Sequence, residues 1–390
     1  MRRPARPTAA ALALAAAALI AGCGSTAPAA RGPAPEAPPG GTPFLATSLA
    51  TTAGTWAVAV MGGSVATNNN FWQLFTRPPG SPHWKLVTPP GTPDNGGLVL
   101  APAGRSLIAG FRPSQFLTYT PLSATADGGQ AWASTGPLDG ALANVPDALA
   151  AAPATGHLLA LLTDGTAVLA APSSYASWTA LASLRSLAAT TPGKRCGLQN
   201  LTAATFSPSS QPLLAGTCRY RGTVGIFTET GGTWHAAGPP LPAPLAGQAT
   251  RVLRLTSTAN RTVALLAVGT GSATRLLAAW SADGGAHWTV SPPLSLYGAK
   301  VASASTGPGA TMAIMLSTGH AQTIASPAAA WQPLPALPAG TATLAPGPAG
   351  GWDALAVHST KLDIWQLAPG STAWALAQTV NVPIQFGSSG

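Results

Sequence analysis

The sequence predicts an all-β fold, a seven-bladed β-propeller of four-stranded antiparallel blades, from three observations. Seven tryptophans, Trp84, Trp132, Trp178, Trp234, Trp288, Trp331 and Trp374, each close a short polar turn containing Gly or Pro. Their spacings are 48, 46, 56, 54, 43 and 43 residues, a period in the forties that suits propeller blades. Between the turns lie short runs rich in Val, Leu, Ile and Ala, such as residues 56–60, 157–162, 262–268 and 311–316. They are too short and too often interrupted by Gly and Pro for globular helices, which gives four strands per blade.

Taken in order, the chain opens Met1-Arg2-Arg3 with Arg6 close behind, followed by an Ala/Leu-rich stretch over residues 9–21. That apolar core is short of the ~20 residues that span a bilayer as a helix, so residues 1–22 read as a secretory signal. The small pair Ala21-Gly22 directly before Cys23 resembles a bacterial lipobox. The resemblance implies cleavage there and a lipid on Cys23; the alternative is an ordinary secretory signal with an incidental cysteine. Residues 23–43, rich in Pro, Ala and Gly, cannot bury a core and read as an extended tether. Residues 44–386 form the propeller and 387–390 a flexible tail. In the simplest register residues 44–50 are the first inner strand and 374–380 the last outer one. Residues 380–386 could instead pair across the seam and close the ring.

Composition narrows the function classes. Once Arg2, Arg3 and Arg6 leave with the signal, 16 basic residues face 10 acidic ones, about +6, in a chain of which only 7% is charged. The cations are scattered, with no Lys/Arg run longer than two, so nucleic acid is not an expected partner. Cys196 and Cys218 remain in a compartment where disulfides persist, and a bridge between them is the natural pairing. Two thiols without CxxC or HExxH give no metal site, and no cofactor fingerprint is present.

Two turns are near copies. Thr125, Asp127, Gly129 and Trp132 share the pattern S/T-x-D-x-G-x-x-W with Ser281, Asp283, Gly285 and Trp288. The pattern resembles the Asp-box, or BNR repeat, of sialidases and related propellers, with looser relatives at the other five tryptophans. In that family the box joins the third and fourth strands away from the ligand face, which implies structural roles for these eight residues. Physically, Gly supplies positive φ, Asp and Ser or Thr bond the turn's own amides, and Trp packs on the neighbouring blade. The chain looks most similar to non-enzymatic members, of the photosystem assembly-factor and sortilin-like types.

Sialidase chemistry lacks its parts here. The family uses an arginine triad, a Tyr-Glu couple and an aspartate. Phe111-Arg112-Pro113 lacks the Ile of the family's first arginine motif and falls in the second blade, and Glu229, the one glutamate after the tether, lies inside a turn. Asp94, Asp139, Asp147 and Asp164 sit in Gly/Pro-rich connections, where Asp caps turns, while Asp353 and Asp363 alternate with apolar residues as solvated strand edges would. No residue is assigned as catalytic.

Binding remains. Connections between blades, and between second and third strands, emerge on one propeller face. There a Cys196–Cys218 bridge would tie the loop over residues 182–199, with Arg185, Lys194 and Arg195, to the turn carrying Arg219, Tyr220 and Arg221. Arg112 and the Asn68-Asn69-Asn70 run fall on the same face. The competing reading is that these cations only solvate long loops. The expected function is an exported, lipid-anchored, monomeric scaffold that docks an envelope protein or a glycan. The alternative is a carbohydrate-binding or exo-sialidase-like glycoside hydrolase.

Overall fold

The computed structural model describes residues 47–51, 54–62, 70–88, 98–103, 106–111, 120–162 and 165–383. Through them the chain repeats one motif, an antiparallel meander of four strands. We number the meanders 1 to 7: residues 47–86, 98–134, 148–183, 198–236, 250–295, 301–333 and 341–381. They build a β-propeller, with the first strands lining a central cavity.

Hydrogen bonding corrects the expectation of seven separate blades. Meanders 2, 3, 4, 5 and 7 are five separate blades, and meander 5 carries an extra short strand, Leu294–Ser295, beside Arg275–Ser281. Meanders 1 and 6 share one eight-stranded sheet through a parallel bridge from Leu49 to Thr306. The tryptophan period counts meanders; it is blind to bonding between first strands near the axis, which needs no motif. Two helices also interrupt the all-strand expectation, α1 (Leu184–Ala189) and α2 (Thr191–Cys196).

Second strands are the most buried. All seven residues of Thr262–Val268 and all four of Leu158–Leu161 are buried. A strand packed on both faces needs apolar side chains on both, so alternation disappears there. The outermost strand Ala375–Asn381 is mostly exposed.

Packing runs between meanders that follow each other in the chain. Trp56 and Leu74 of meander 1 meet Leu107 and Ala109 of meander 2, whose Ile108 and Leu122 meet Leu158 and Leu169 of meander 3. Similar clusters join 3 to 4, 4 to 5, 5 to 6 and 6 to 7. Phe75 and Trp84 of meander 1 then pack on Leu355, Leu362 and Ile364 of meander 7. Each half of the double sheet therefore packs as its own unit.

That last seam closes the ring with side chains. Trp84 N donates to Gln378 Oε1 at 2.8 Å and Gln378 Nε2 donates back to Trp84 O at 2.9 Å. Trp84 Nε1 donates to Asp353 Oδ2 at 2.9 Å, and Arg77 Nε lies 3.6 Å from the same oxygen. Arg77 Nη2 donates to Pro346 O at 2.6 Å and to Thr55 Oγ1 at 3.2 Å. Asp353 is thus 0% exposed, which corrects its assignment to a solvated strand edge. The first strand, Thr47–Thr51, and the last, Ala375–Asn381, follow the simplest register. Residues 384–390, including the 387–390 tail, lie outside the described residues, as do Cys23 and the 23–43 tether.

The paired turns join third to fourth strands, at Leu122–Thr125 to Ala133–Ser134 and at Arg275–Ser281 to Thr289–Val290. Asp127 Oδ1 accepts from Thr125 Oγ1, Gln130 N and Ala131 N at 2.8, 2.9 and 3.0 Å, while Thr125 Oγ1 accepts from Gly129 N at 2.9 Å. Asp283 Oδ1 accepts from Ser281 Oγ and His287 N, both at 2.9 Å, and Ser281 Oγ accepts from Gly285 N at 2.8 Å. Trp132 Nε1 and Trp288 Nε1 each cross to the preceding meander, donating to Val87 O at 3.0 Å and Ala237 O at 2.6 Å. Gly129 has φ +87°, and a Cβ there would stand 2.6 Å from Val87 Cβ, so positive φ and close approach both require glycine.

Hydrogen bonds from His287, backbone first, hold the Asp283 carboxyl down at about 2. Its stabilisation is present above the ordinary carboxylate range and is lost as pH falls from about 4 through 2. Asp283→Ala is expected to lower Tm by about 2–4 °C in a thermal melt while leaving binding unchanged. Lost binding at an unchanged Tm would contradict this turn role.

Candidate functional site

Up-and-down meanders put the starts of the first strands, the second-to-third connections and the inter-meander connections on one face. The turns of Asp127 and Asp283 lie on the opposite one. The largest feature of the first face lies between meanders 3 and 4. Ser183 caps α1, its Oγ accepting from Ser186 N at 3.0 Å while Ser186 Oγ accepts from Ser183 N at 3.0 Å. Thr190 Oγ1 caps α2 by accepting from Gly193 N at 3.2 Å, and Gly197 ends it at φ 61°. Leu187, fully buried beside Leu198, Leu214 and Phe227, roots the pair in the core.

Cys196 and Cys218 form the expected disulfide, with Cα atoms 4.8 Å apart. Backbone bonds continue the junction: Arg219 N donates to Gly197 O and Tyr220 N to Cys196 O, both at 3.1 Å. The Tyr220 ring lies over Gly197, where a Cβ would stand 2.8 Å from its Cε2. Gly222 N donates to Gln248 O at 2.9 Å, tying the turn to the next connection. The structure therefore brings the segment of Lys194 and Arg195 together with that of Arg219, Tyr220 and Arg221. Arg185 and these four cations are exposed, and Tyr220 is 54% exposed. Among the described residues the three ion pairs are Arg77–Asp353, His287–Asp283 and His358–Asp363, so none joins a carboxylate to this cluster. Arg112, Asn68 and Asn69 lie outside the described residues, as do Asp94 and Asp164.

The acids are spread through the structure. Asp139 caps a turn as expected, accepting from Ala141 N at 2.9 Å and Trp178 N at 2.8 Å. Glu229 stands in the hairpin opposite Trp234 and accepts from Gly232 N, within a third-to-fourth strand turn. Asp363 accepts from Thr379 Oγ1 at 2.6 Å at the outer edge of meander 7. Among the described residues no cluster of His, Cys, Asp or Glu could hold a metal ion.

Sequence reasoning missed the axis. A cavity of about 640 Å³ runs between the first strands, lined by Asp147, Thr202, Arg254, Thr256 and Thr306 among others. Arg254 Nη1 donates to Ala304 O of the next meander at 2.7 Å. Burial lowers its pKa to about 10, which leaves it cationic at neutral pH. A register shift lies between Val252 and Arg254, and such an irregularity cannot be read from the run TRVLRLTS.

No protein-family model matches the chain, and no curated protein does. Solved structures match its fold. A protein from Lactobacillus plantarum is 10% identical, with 84% of this chain and 96% of that one covered at a TM-score of 0.54. A putative 6-phosphogluconolactonase from Bacteroides uniformis is 14% identical, covering 83% and 96% at 0.50. YCF48 from Cyanidioschyzon merolae is 10% identical, covering 80% and 95% at 0.47. At these identities the likeness extends to the propeller fold alone.

Proposed function

We propose that the chain is an exported, lipid-anchored, non-enzymatic propeller that docks a protein or ligand at the cell envelope. Cys23 carries the lipid, residues 23–43 are the tether, and the tied loops of meanders 3 and 4 are the docking site. The observation that supports this most is the disulfide-fixed junction, which holds Lys194, Arg195, Arg219 and Arg221 around an exposed tyrosine without a carboxylate paired to them. Ordered loops with unneutralised cations and a rigid aromatic suit an acidic partner surface, because little entropy remains to be lost on binding. The turn role of Glu229 agrees with a scaffold and not with a retaining glycosidase.

The test is in-cell crosslinking of the tagged full chain, comparing wild type with Arg219→Glu/Arg221→Glu. A discrete envelope protein recovered with wild type and lost from the double variant, at an unchanged Tm, is the expected result. Recovery at equal yield from both would remove this cluster as the docking site.

A further inference from the structure

We infer that the whole cationic face, of which the docking cluster is one sector, seats the propeller on an anionic phospholipid bilayer. Three observations converge on it. The exposed cations are spread around the ring on one side: beyond the cluster, Lys300 lies in the connection from meander 5 to 6 and Lys361 beside the second-to-third turn of meander 7. The opposite face places Asp127, Glu229 and Asp283 on its turns against Lys85 and Arg261. The cationic face also carries Asp139 and Asp147 in the connection from meander 2 to 3, but its exposed Lys and Arg outnumber them, so the molecule is polarised across its thickness.

Exposed apolar side chains follow the same polarity. Of the four large ones among the described residues, Leu138 at 41%, Tyr220 at 54% and Tyr297 at 84% all stand on inter-meander or second-to-third connections of the cationic face. Leu376, on the outermost strand, is the fourth. Tyr220 beside Arg219 and Arg221, and Tyr297 near Lys300, match the headgroup region of a bilayer, where an aromatic ring meets the acyl boundary and cations meet phosphate; Leu138 adds an apolar point beside Asp139. Tyr220 belongs to the docking cluster as well, but Leu138 and Tyr297 lie outside it, so a partner seated on that cluster leaves them unused whereas a bilayer reaches all three.

The third observation is where the chain enters. The first strand, Thr47–Thr51, begins at this face. A lipid on Cys23, which the proposed function supplies, would raise the effective concentration of the propeller at the membrane and let individually weak headgroup contacts add. The inference rests on the exported, lipid-anchored part of the proposed function, and its test separates the two.

The chain from residue 24 onward holds every described strand and the closing seam, so it folds as the ring and carries neither leader nor lipid. It is floated with vesicles of phosphatidylcholine containing about one third phosphatidylglycerol, and with phosphatidylcholine alone, at low and high salt. The expected result is flotation with the anionic vesicles only, lost at high salt as screening shortens the reach of each charge. Tyr297→Asn/Lys300→Glu, which keeps a residue tolerant of the positive φ at 297 and leaves the docking cluster intact, should lower the partition coefficient by roughly tenfold or more. Equal flotation with both lipids, flotation with neither, or full binding by that variant would each overturn the inference. Recovery of the crosslinked partner at equal yield from wild type and Arg219→Glu/Arg221→Glu, with flotation kept, would overturn the docking reading alone.

Discussion

Replacing Asp353 by leucine is expected to cost about 1–3 kcal/mol of stability, because the buried Trp84 Nε1 and Arg77 Nε lose the carboxyl oxygen they share. Arg77 is 7% exposed and its Nε keeps no other acceptor among the described residues. Arg77→Leu should cost a similar amount from the other side. The double variant Arg77→Leu/Asp353→Leu should recover at least half of either loss, since only Trp84 Nε1, Pro346 O and Thr55 Oγ1 then lose partners. Urea midpoints of the four proteins measure this, and losses that simply add would refute a coupled seam. The pair also gives the protein an inverted pH response. Burial, working against Arg77 and the Trp84 hydrogen bond, raises the Asp353 carboxyl to about 6, and its Oδ1 has no hydrogen-bond partner among the described residues. A folded-state pKa above the unfolded one means that the folded protein binds more protons between about pH 4 and 6, so stability rises as pH falls through that window. Relative to Asp353→Asn, wild type should gain up to about 3 kcal/mol between pH 7 and pH 4. A flat difference would show that the carboxylate is not penalised by burial.

How much of this was readable follows from the length scale of each feature. The turns were legible because Ser281, Asp283, Gly285 and Trp288 make their bonds within eight residues, apart from one reach to Ala237. The disulfide was legible because the two cysteines left after Cys23 admit one intramolecular pairing. Helices α1 and α2 carried ordinary start and stop signals, Ser183 with Ser186, Thr190 before Pro192, and Gly197 at the end, but six-residue helices were hidden by a strand period that accounted for everything around them. Asp353 was misplaced because a single carboxylate between Trp352 and Ala354 was taken for a solvated position; the group that meets it inside is Arg77, 276 positions earlier, across the ring seam. The parallel bridge from Leu49 to Thr306 and the spread of Lys300, Lys361, Leu138 and Tyr297 over one face have no local signature at all. They follow from closure, which turns separate loops into a surface only when every meander is in place.

The second large effect concerns the junction that makes part of that surface rigid. Replacing Cys196 and Cys218 by alanine is expected to lower stability by about 3 kcal/mol, as releasing a closed loop of 22 residues implies. The two sulfurs are also core: Cys196 is fully buried and Cys218 nearly so, packed with Leu187, Leu198, Leu214 and Phe227. Their loss therefore loosens α1 and α2 from meander 4 as well as opening the loop. Amide hydrogen exchange should localise the damage, with protection falling first in residues 184–199 and 216–225, and little change at the seam of Trp84 and Gln378 on meanders 1 and 7. The docking cluster then keeps its charges and loses its geometry. If it binds through a fixed arrangement, the double alanine variant should lose partner crosslinking although Arg219 and Arg221 are untouched; if it binds only through net charge, crosslinking should persist. A urea midpoint within about 0.5 kcal/mol of wild type, with exchange unchanged in both segments, would reduce the disulfide to an incidental bridge and remove the rigid junction on which the docking reading depends.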